Sequence, residues 1–151
     1  LLALHHQTYK QFWAWSDSAG DEAVLGGRLW TTFGWQIRIS GKINDRSLRN
    51  FPMQANGAEM LRIACILLSD HAIRICAPIH DALLIEAPLD ELDDVITRAE
   101  SLMRKASGIV LDGFELNSDV KVIRYPERYM DKRGSVMWNK VMNLIGGPAF
   151  A

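Results

Sequence analysis

The sequence has 151 residues and a mass of 17.0 kDa, with 48% hydrophobic and 23% charged side chains, which excludes a disordered tail and predicts one domain. The formal net charge is −1, which argues against binding of nucleic acid through bulk positive charge. No apolar run approaches the roughly 20 residues that a membrane-spanning helix needs. Cys65 and Cys76 lie among apolar residues, and reduced core cysteines are typical of a cytoplasmic protein.

The charge is unevenly distributed along the chain. Residues 26–69 carry six basic and two acidic side chains, a net charge of +4, whereas residues 70–100 carry two basic and eight acidic ones, a net charge of −6. The flanking segments are milder, with −2 over residues 1–25 and +3 over residues 101–151. The near-zero total therefore conceals a basic stretch that could bind nucleic acid locally.

The first predicted elements are a helix and a hairpin. Apolar and small residues near helical spacing predict a helix over residues 5–24, which Gly26 and Gly27 end. β-branched and aromatic runs at residues 28–32 and 35–40 then predict a hairpin. The positions of the five tryptophans in helices and in this hairpin favour core packing over base stacking.

The next predicted element is a helix over residues 50–69. Asn50 is a plausible N-cap, and Pro52 would lie in the first turn, where its missing N–H costs nothing. Arg46, Asn50 and Gln54 are spaced by four residues. If the helix extends back to residue 46, they share one side of its leading end.

The most regular pattern follows at residues 73–86. Residues 73–79 alternate between apolar and other side chains, and residues 83–86 form a second apolar run after a very short connection. Two strands so close in sequence must pair as an antiparallel hairpin with His80 and Asp81 in its turn. Pro78 predicts an edge strand or a bulge.

The last predicted elements are a helix, a strand and a second helix. Residues 89–106 have apolar side chains at three- and four-residue steps, with acidic residues in the first turns and basic ones in the last. Gly108 would end this helix. Residues 120–124 resemble a late strand, and residues 130–145 are expected to be helical after Gly134.

Asp81 is the first candidate for chemistry. A carboxylate at a hairpin tip is exposed, held by two strands, and able to bind a divalent metal. The alternative is that Asp81 only satisfies backbone groups of the turn, as aspartate commonly does. The apolar character of both strands argues against a turn with no further role.

The side chains of Arg46, Asn50 and Gln54 are the second candidate. Arginine can bind phosphate, and the two amides can donate to and accept from groove edges. The alternative is a solvated helix start with an Asn cap. Three other histidines have no partner at metal-ligand spacing: His5, His6 and His71.

Two motifs together resemble the C-terminal palm of family A DNA polymerases. Residues 49–60 read RNFPMQANGAEM, and residues 77–88 read APIHDALLIEAP. The family pairs an Arg and an Asn-x-Pro-hydrophobic-Gln segment with a later His-Asp-Glu turn, called motif C. The resemblance covers most of the chain. It implies an α+β fold, with an antiparallel palm-type sheet whose central motif C hairpin packs against helices, as a single domain over residues 1–151.

The resemblance also implies roles for individual residues. Asp81 would be one of two carboxylates that hold the catalytic metals, two Mg²⁺ ions in the complete polymerase, and His80 would lie near the primer 3′ end. Asn50 and Gln54 would contact the minor groove of the new duplex, and Arg46 the template strand. The parent would be a DNA-directed DNA polymerase of replication or repair, cytoplasmic and nucleoid-associated, with primer-template DNA as its partner and no membrane.

Two departures from the family pattern limit what this chain is expected to do. Ala82 replaces the usual Glu of motif C. The other catalytic carboxylate and the fingers helix, which binds the incoming deoxynucleoside triphosphate, are expected upstream of Leu1, in the remainder of the polymerase. We therefore expect the isolated chain to be an expression fragment that is inactive and able to self-associate. A standalone DNA-binding or scaffolding module is the alternative, and a hydrolase using His80 and Asp81 is weaker.

Overall fold

The computed structural model describes residues 2–39, 44–129 and 131–147, with the side chain of Lys132 left out. The chain divides into two units, Leu1–Ser118 and Asp119–Ala151, so a single domain over residues 1–151 stays a prediction. Helices and two small antiparallel sheets make up the described residues. The predicted α+β class is therefore confirmed. No described helix is long and apolar enough to cross a membrane.

The predicted first helix is two helices. Helix α1 (Leu2–Thr8) and helix α2 (Lys10–Gly26) are separated by Tyr9, whose backbone has a φ of −110° and a ψ of 53°. Helix α2 is capped at its C-terminus by Gly27, which has the left-handed φ of 67° that glycine adopts without steric cost. The buried positions of α2 hold small side chains that let neighbouring elements come close: Ser16, Ala19, Gly20 and Ala23.

The first hairpin is shorter than predicted. Strand β1 (Arg28–Trp30) and strand β2 (Gln36–Arg38) pair antiparallel, and Leu29 lies opposite Ile37. Leu29 is buried, whereas the residues on either side of it in β1 are exposed. The hairpin thus turns one face to the core and the other to solvent, as the two-residue period of a strand requires.

Helix α3 (Asp45–Asp70) is the longest element, with 26 residues and a length of about 39 Å. Its N-cap is Asn44, whose side-chain oxygen accepts a hydrogen bond from the Ser47 N–H at 3.3 Å. The prediction that Asn50 caps the helix is therefore wrong, and Pro52 lies inside the helix instead of in its first turn. The early cap sets the boundary, and the helix accommodates the backbone bond that proline cannot donate.

The second hairpin has the predicted strands. Strand β3 (Arg74–Ile79) and strand β4 (Ala82–Glu86) pair antiparallel. The register shifts between Ile75 and Ala77, so Cys76 is an extra residue on β3. Pro78 lies just beyond this irregularity in a two-stranded sheet, which confirms the prediction of an edge strand or a bulge.

Helix α4 (Leu92–Val110) continues past Gly108, which was predicted to end it. The apolar stripe extends to Val110, which is buried, and this burial outweighs the low helix propensity of glycine. A Cβ at Gly108 would lie 3.3 Å from Cγ of Glu115, so the glycine leaves room for the returning chain. The predicted strand at residues 120–124 is wrong, because no described strand pairs with this segment.

The second unit contains a short 3₁₀ helix (Lys132–Gly134) and helix α5 (Ser135–Ile145). The predicted helix after Gly134 is confirmed, while Met130 lies outside the described residues. Arg133 pairs with Asp131, and their side-chain hydrogen bonds lower the pKa of Asp131 to about 2.

The first unit has two apolar clusters, one at each end of α3. The leading end of α3 packs with α2 and the first hairpin around three buried residues: Ala23, Leu29 and Leu48. The trailing end packs with α4 and the second hairpin around five buried residues: Leu68, Ile73, Val95, Ala99 and Leu102. Helix α3 therefore positions both hairpins.

Candidate functional site

The tip of the second hairpin consists of His80 and Asp81. Ile79 pairs with Ala82, so these two residues alone form the turn. His80 has a positive φ of 56°, a conformation that costs a residue with a Cβ about 1 kcal/mol or more and that glycine usually occupies. The turn therefore keeps a strained histidine where glycine would be more stable, and such strain is concentrated at functional sites.

The carboxylate of Asp81 is available to a ligand. Asp81 is exposed, and its side chain makes no hydrogen bond or ion pair with any other described residue. The interpretation that it only satisfies turn backbone is therefore not supported by the geometry. Within the described part of the chain, however, no group of three His, Cys, Asp or Glu side chains could hold a metal. The residues present supply one carboxylate and do not make a complete metal centre.

Arg46, Asn50 and Gln54 all lie on α3, because the helix begins at Asp45. They are exposed, one turn apart, on one side of its leading end. None of their side chains has a hydrogen bond or ion pair within the described residues. Since Asn44 is the cap, the amide of Asn50 is available to an external partner.

A charged cluster fixes the leading end of α3 against α2. The guanidinium of Arg49 donates to Asp45 at 2.7 Å and also to Asp17 on α2. Its Nη1 lies 3.4 Å from the hydroxyl of buried Ser16. Hydrogen bonds, first with Asp45 and then with Asp17, raise the pKa of Arg49 above its ordinary value. This cluster orients the turn of α3 that carries Asn50.

A second polar cluster fixes the first hairpin to α3. Glu59 is buried at 4% exposure, and its carboxylate accepts hydrogen bonds from the Thr31 hydroxyl at 3.0 Å and from Arg62. One turn earlier, Oδ1 of Asn56 accepts a bond from the Thr32 N–H at 3.0 Å. Two helix residues, Glu59 and Asn56, thus hold two adjacent residues of the hairpin loop, and Arg62 pairs with Glu59.

The two predicted groups of site residues lie on separate elements. Arg46, Asn50 and Gln54 lie near the start of α3, and His80 and Asp81 lie at the tip of the hairpin that follows its end. No hydrogen bond or ion pair joins the two groups among the described side chains. Each presents free polar groups to solvent from a rigid element.

No protein-family model matches the sequence. The chain is 24% identical over 115 residues to the thermostable DNA polymerase I of Thermus thermophilus, in an alignment that covers 68% of this chain and 14% of that protein. It is 30% identical over 70 residues to DNA polymerase I of Deinococcus radiodurans, covering 44% and 7% respectively.

A solved structure has a similar fold. This is the POL domain of Pol1 from M. smegmatis in complex with DNA primer-template and dNTP, with a TM-score of 0.54 and 22% identity. The match covers 62% of this chain and 19% of that chain. The resemblance to DNA polymerase I is confirmed. Because the chain spans about a seventh of its first relative, the activity of the whole protein is a matter for proposal.

The resemblance to polymerase I motifs did not identify the residues that hold the first hairpin and α3 in place. Thr31 lies outside both motifs, and although Arg49 and Glu59 lie within residues 49–60, the motif assigns neither of them a structural contact. The one available signal was the spacing of Asn56, Glu59 and Arg62, which puts three polar side chains on one side of a long helix. That spacing cannot identify the loop they bind, since the partner residues lie 24 and 28 positions away.

The prediction that the tryptophans pack in the core is wrong. Trp13 is half-buried, and its ring stacks on His6 and donates to Nδ1 of His5 at 3.0 Å. The other four are substantially exposed: Trp15 at 43%, Trp30 at 49%, Trp35 at 65% and Trp138 at 42%. Short two-stranded sheets and slender helices have too little interior for such large rings. The core prediction for the cysteines also fails, because Cys65 is only half-buried and Cys76 is exposed.

Proposed function

We propose that this chain is the C-terminal palm part of a DNA-directed DNA polymerase, which contributes one metal-binding carboxylate and contacts to primer-template DNA. The observation that carries the proposal is the free, exposed carboxylate of Asp81 in a strained two-residue turn. Backbone strain such as that at His80 is concentrated at functional sites, and the uncommitted carboxylate of Asp81 is available to a metal ion.

The proposed DNA contacts lie on α3. Arg46 binds template phosphate, and the amides of Asn50 and Gln54 contact the minor groove of the new duplex. Minor-groove acceptors differ little among base pairs, so these amides check pair geometry without reading sequence. The proposal is supported by their exposure, their common side of the helix and their lack of partners among described residues.

The proposed metal role of Asp81 needs the rest of the polymerase. The described residues hold no group of three side chains that could bind a metal, so we propose that a second carboxylate and the fingers that bind the incoming deoxynucleoside triphosphate belong to the remainder of the polymerase. When bound, two Mg²⁺ ions supply activation of the primer 3′ oxygen and stabilisation of the leaving pyrophosphate. Asp81 anchors one side of that site, and His80 lies next to the primer terminus.

Primer extension tests the metal role in the parent protein. Asp81→Asn is expected to reduce template-dependent extension at least a hundredfold with Mg²⁺, because an amide is a poor replacement for a carboxylate ligand. Asp90→Asn, at another exposed acidic position outside the strands, is the matched control and should retain activity. If extension by Asp81→Asn equals that of the control, Asp81 is not a metal ligand.

The isolated chain should be inactive in the same assay with either Mg²⁺ or Mn²⁺. Its described residues contain no group of three His, Cys, Asp or Glu side chains that could hold a metal, and we propose that the triphosphate site belongs to the fingers. Robust template-dependent extension by the purified chain would contradict this. A catalytically silent result alone would not decide between a polymerase part and a standalone module.

A standalone DNA-binding or scaffolding module is the second candidate, and it is favoured by the incomplete metal centre of the described residues. The upstream reading frame separates the two: a long frame continuous with this chain indicates the polymerase part. Self-association is proposed for the isolated chain because several large apolar side chains are exposed, among them Leu25 at 88% and Val136 at 81%. A clean monomer in light scattering would contradict it.

A further inference from the structure

The solvent face of the first hairpin has a composition that neither the motifs nor the proposed function explains. Alternation along the strands places Leu29 and Ile37 toward the core, and the opposite face holds four exposed side chains. We call this the hairpin face, and its members are Arg28, Trp30, Gln36 and Arg38. A face with two cations, one large aromatic ring and one amide resembles neither a core surface nor an ordinary solvated strand.

The two arginines of this face lie directly opposite each other in the strand register. Like charges in that position repel, which destabilises the pairing. Neither guanidinium has an ion pair or a side-chain hydrogen bond with any described residue. Residues 28–39 contain no acidic side chain. An anion between Arg28 and Arg38 would turn this repulsion into attraction.

Exposed aromatic rings lie on the hairpin face and in the loop that joins its two strands. Trp30 is 49% exposed, and the loop adds Phe33 at 47% and Trp35 at 65%. The guanidinium of Arg62, which also pairs with Glu59, lies 5.6 Å from the centre of the Trp35 ring. Rings on which bases can stack, next to arginines that can bind phosphates, are the elements of a surface for single-stranded nucleic acid.

The hairpin face is also held in place before any ligand arrives. The bonds of Thr31 to Glu59 and of Thr32 to Asn56 anchor the loop to α3, and the N–H of Trp35 donates to the Thr31 hydroxyl at 3.0 Å. A rigid platform loses little conformational entropy on binding, which favours affinity. The exposed rings are therefore presented in a fixed arrangement.

We propose that the hairpin face binds single-stranded DNA, with Arg28 and Arg38 on phosphates and Trp30 stacked on an unpaired base. This site is separate from Asp81 and from the duplex-contacting residues of α3, and it does not depend on polymerase activity. Single strands are favoured over duplex because stacking on Trp30 needs a base whose ring face is free. Charge complementarity selects a polyanion, and the aromatic rings select one that carries bases.

Fluorescence titration of the whole chain with an oligothymidylate of about 12 nucleotides tests the proposal. Binding should quench tryptophan emission and weaken steeply as salt rises. Trp30→Ala should weaken binding by about tenfold or more, and the double variant Arg28→Gln with Arg38→Gln should do the same and reduce the salt dependence. All three positions are exposed, and thermal unfolding of each variant verifies that the fold is kept.

Matched controls separate the site from bulk charge and general hydrophobicity. Arg104→Gln with Lys105→Gln removes the same charge from exposed positions of α4, and Trp15→Ala removes a ring of similar exposure from α2. Both should bind as the unchanged chain does. Equal losses in these controls, equal affinity for polyglutamate, or tighter binding of a duplex of the same length would each overturn the proposal. If Asp81→Asn leaves the parent active while the hairpin variants lose binding, only the metal role proposed for Asp81 fails.

Discussion

The two hairpins of this chain are both antiparallel, but they differ in the charges of their outermost residue pairs. The outermost pair of the first hairpin is Arg28 opposite Arg38, and that of the second is Arg74 opposite Glu86. Only the second pair is neutralised, by an ion pair of 2.8 Å. The outermost charges of the second hairpin thus balance each other, whereas those of the first are two positive charges available to an anionic partner. Equivalent positions in one small protein can serve stability in one element and binding in another.

The hairpins also differ in how they are fixed to the helix between them. The first contributes Leu29 to a small apolar cluster and is held by polar bonds to Glu59 and Asn56. The second packs apolar side chains of both strands against α3 and α4, around the fully buried Leu68. The position of the first hairpin should therefore depend on single hydrogen bonds, and that of the second on total apolar area.

Removal of the buried carboxylate should have the largest effect. Glu59→Ala removes the acceptor for Thr31 and Arg62 and is expected to lower the free energy of unfolding by about 2–3 kcal/mol, as for hydrogen bonds to charged groups. Denaturant unfolding measures it. Asp94→Ala removes another helical acid from its arginine, Arg98, but both side chains are substantially exposed, so it should cost less than about 0.5 kcal/mol.

Similar losses for Glu59→Ala and Asp94→Ala would break the distinction between a bond-dependent and an area-dependent hairpin. If the distinction holds, Glu59→Ala should also weaken oligothymidylate binding, because the loop that carries Trp35 would lose its anchor. Thr31→Val keeps the shape of the side chain and removes one donor to Glu59. It should reproduce part of both effects.

Each hairpin turn has one residue with a positive φ, glycine in the first and histidine in the second, and substitutions at these two positions can be compared. Gly34 has a φ of 82° in the first, and His80 has a φ of 56° in the second. His80→Gly should raise the free energy of unfolding by about 1 kcal/mol, because it relieves left-handed strain. Gly34→Ala should lower it by about 1 kcal/mol, although a Cβ there meets nothing within 4 Å. Thermal unfolding compares them.

Primer extension by the His80→Gly variant tests whether His80 has a functional role. In the proposed parent polymerase, His80→Gly should reduce primer extension even though the turn becomes more stable, because we propose that the histidine lies next to the primer terminus. A more stable variant with full activity would show that His80 has no such role. A less stable variant would show that the left-handed backbone of His80 is not strained.

The predictability of this structure follows the range of its interactions. The second hairpin could be predicted because its alternation, its short turn and Pro78 are all local, and the motif directed attention to Asp81. The start of α3 could not, because Asn44 competes with Asn50 as a cap and both have suitable chemistry. The strand expected at residues 120–124 has a β-type pattern, but a strand needs a partner that local sequence cannot reveal.

The candidate site divides in the same way. Arg46, Asn50 and Gln54 share a helix side by spacing alone, so their grouping followed once the helix was known to begin early enough. The hairpin face did not follow, because exposure of Trp30 depends on how few strands the sheet has. A tryptophan in a strand pattern is ordinarily read as core, and only the two-stranded sheet leaves this one in solvent.

Reversing one charge in the outermost residue pair of each hairpin should change the free energy of unfolding less than Glu59→Ala or the turn substitutions do. Arg38→Glu places an acid opposite Arg28 and should raise the free energy of unfolding by about 0.5 kcal/mol, while abolishing oligothymidylate binding. Glu86→Arg makes the second hairpin resemble the first and should lower stability by about the same amount. Denaturant midpoints at low and high salt measure both, and the differences should shrink as salt screens them. Unchanged midpoints at low salt would contradict the proposed repulsion.

The smallest effect concerns Cys76, the extra residue on β3. Loss of surrounding water, and then a hydrogen bond and the charge of Glu86, raise the pKa of this thiol, whereas the charge of Arg74 lowers it. A raised pKa means less thiolate at a given pH, and the thiolate is the form that reacts. In a Cys65→Ser background, Glu86→Gln should therefore speed alkylation by iodoacetamide at mildly alkaline pH.

Loosening of the strands could also speed alkylation, so a second variant of the same ion pair is the control. Arg74→Gln breaks the identical bridge but removes the charge that favours the thiolate, and it should slow alkylation. Opposite changes in rate identify an electrostatic cause, because loosening would accelerate both. Faster alkylation of Cys76 in both variants would show that the ion pair limits access of the reagent to the bulge. The ion pair would then hold the two strands together as well as neutralise the charge of Arg74.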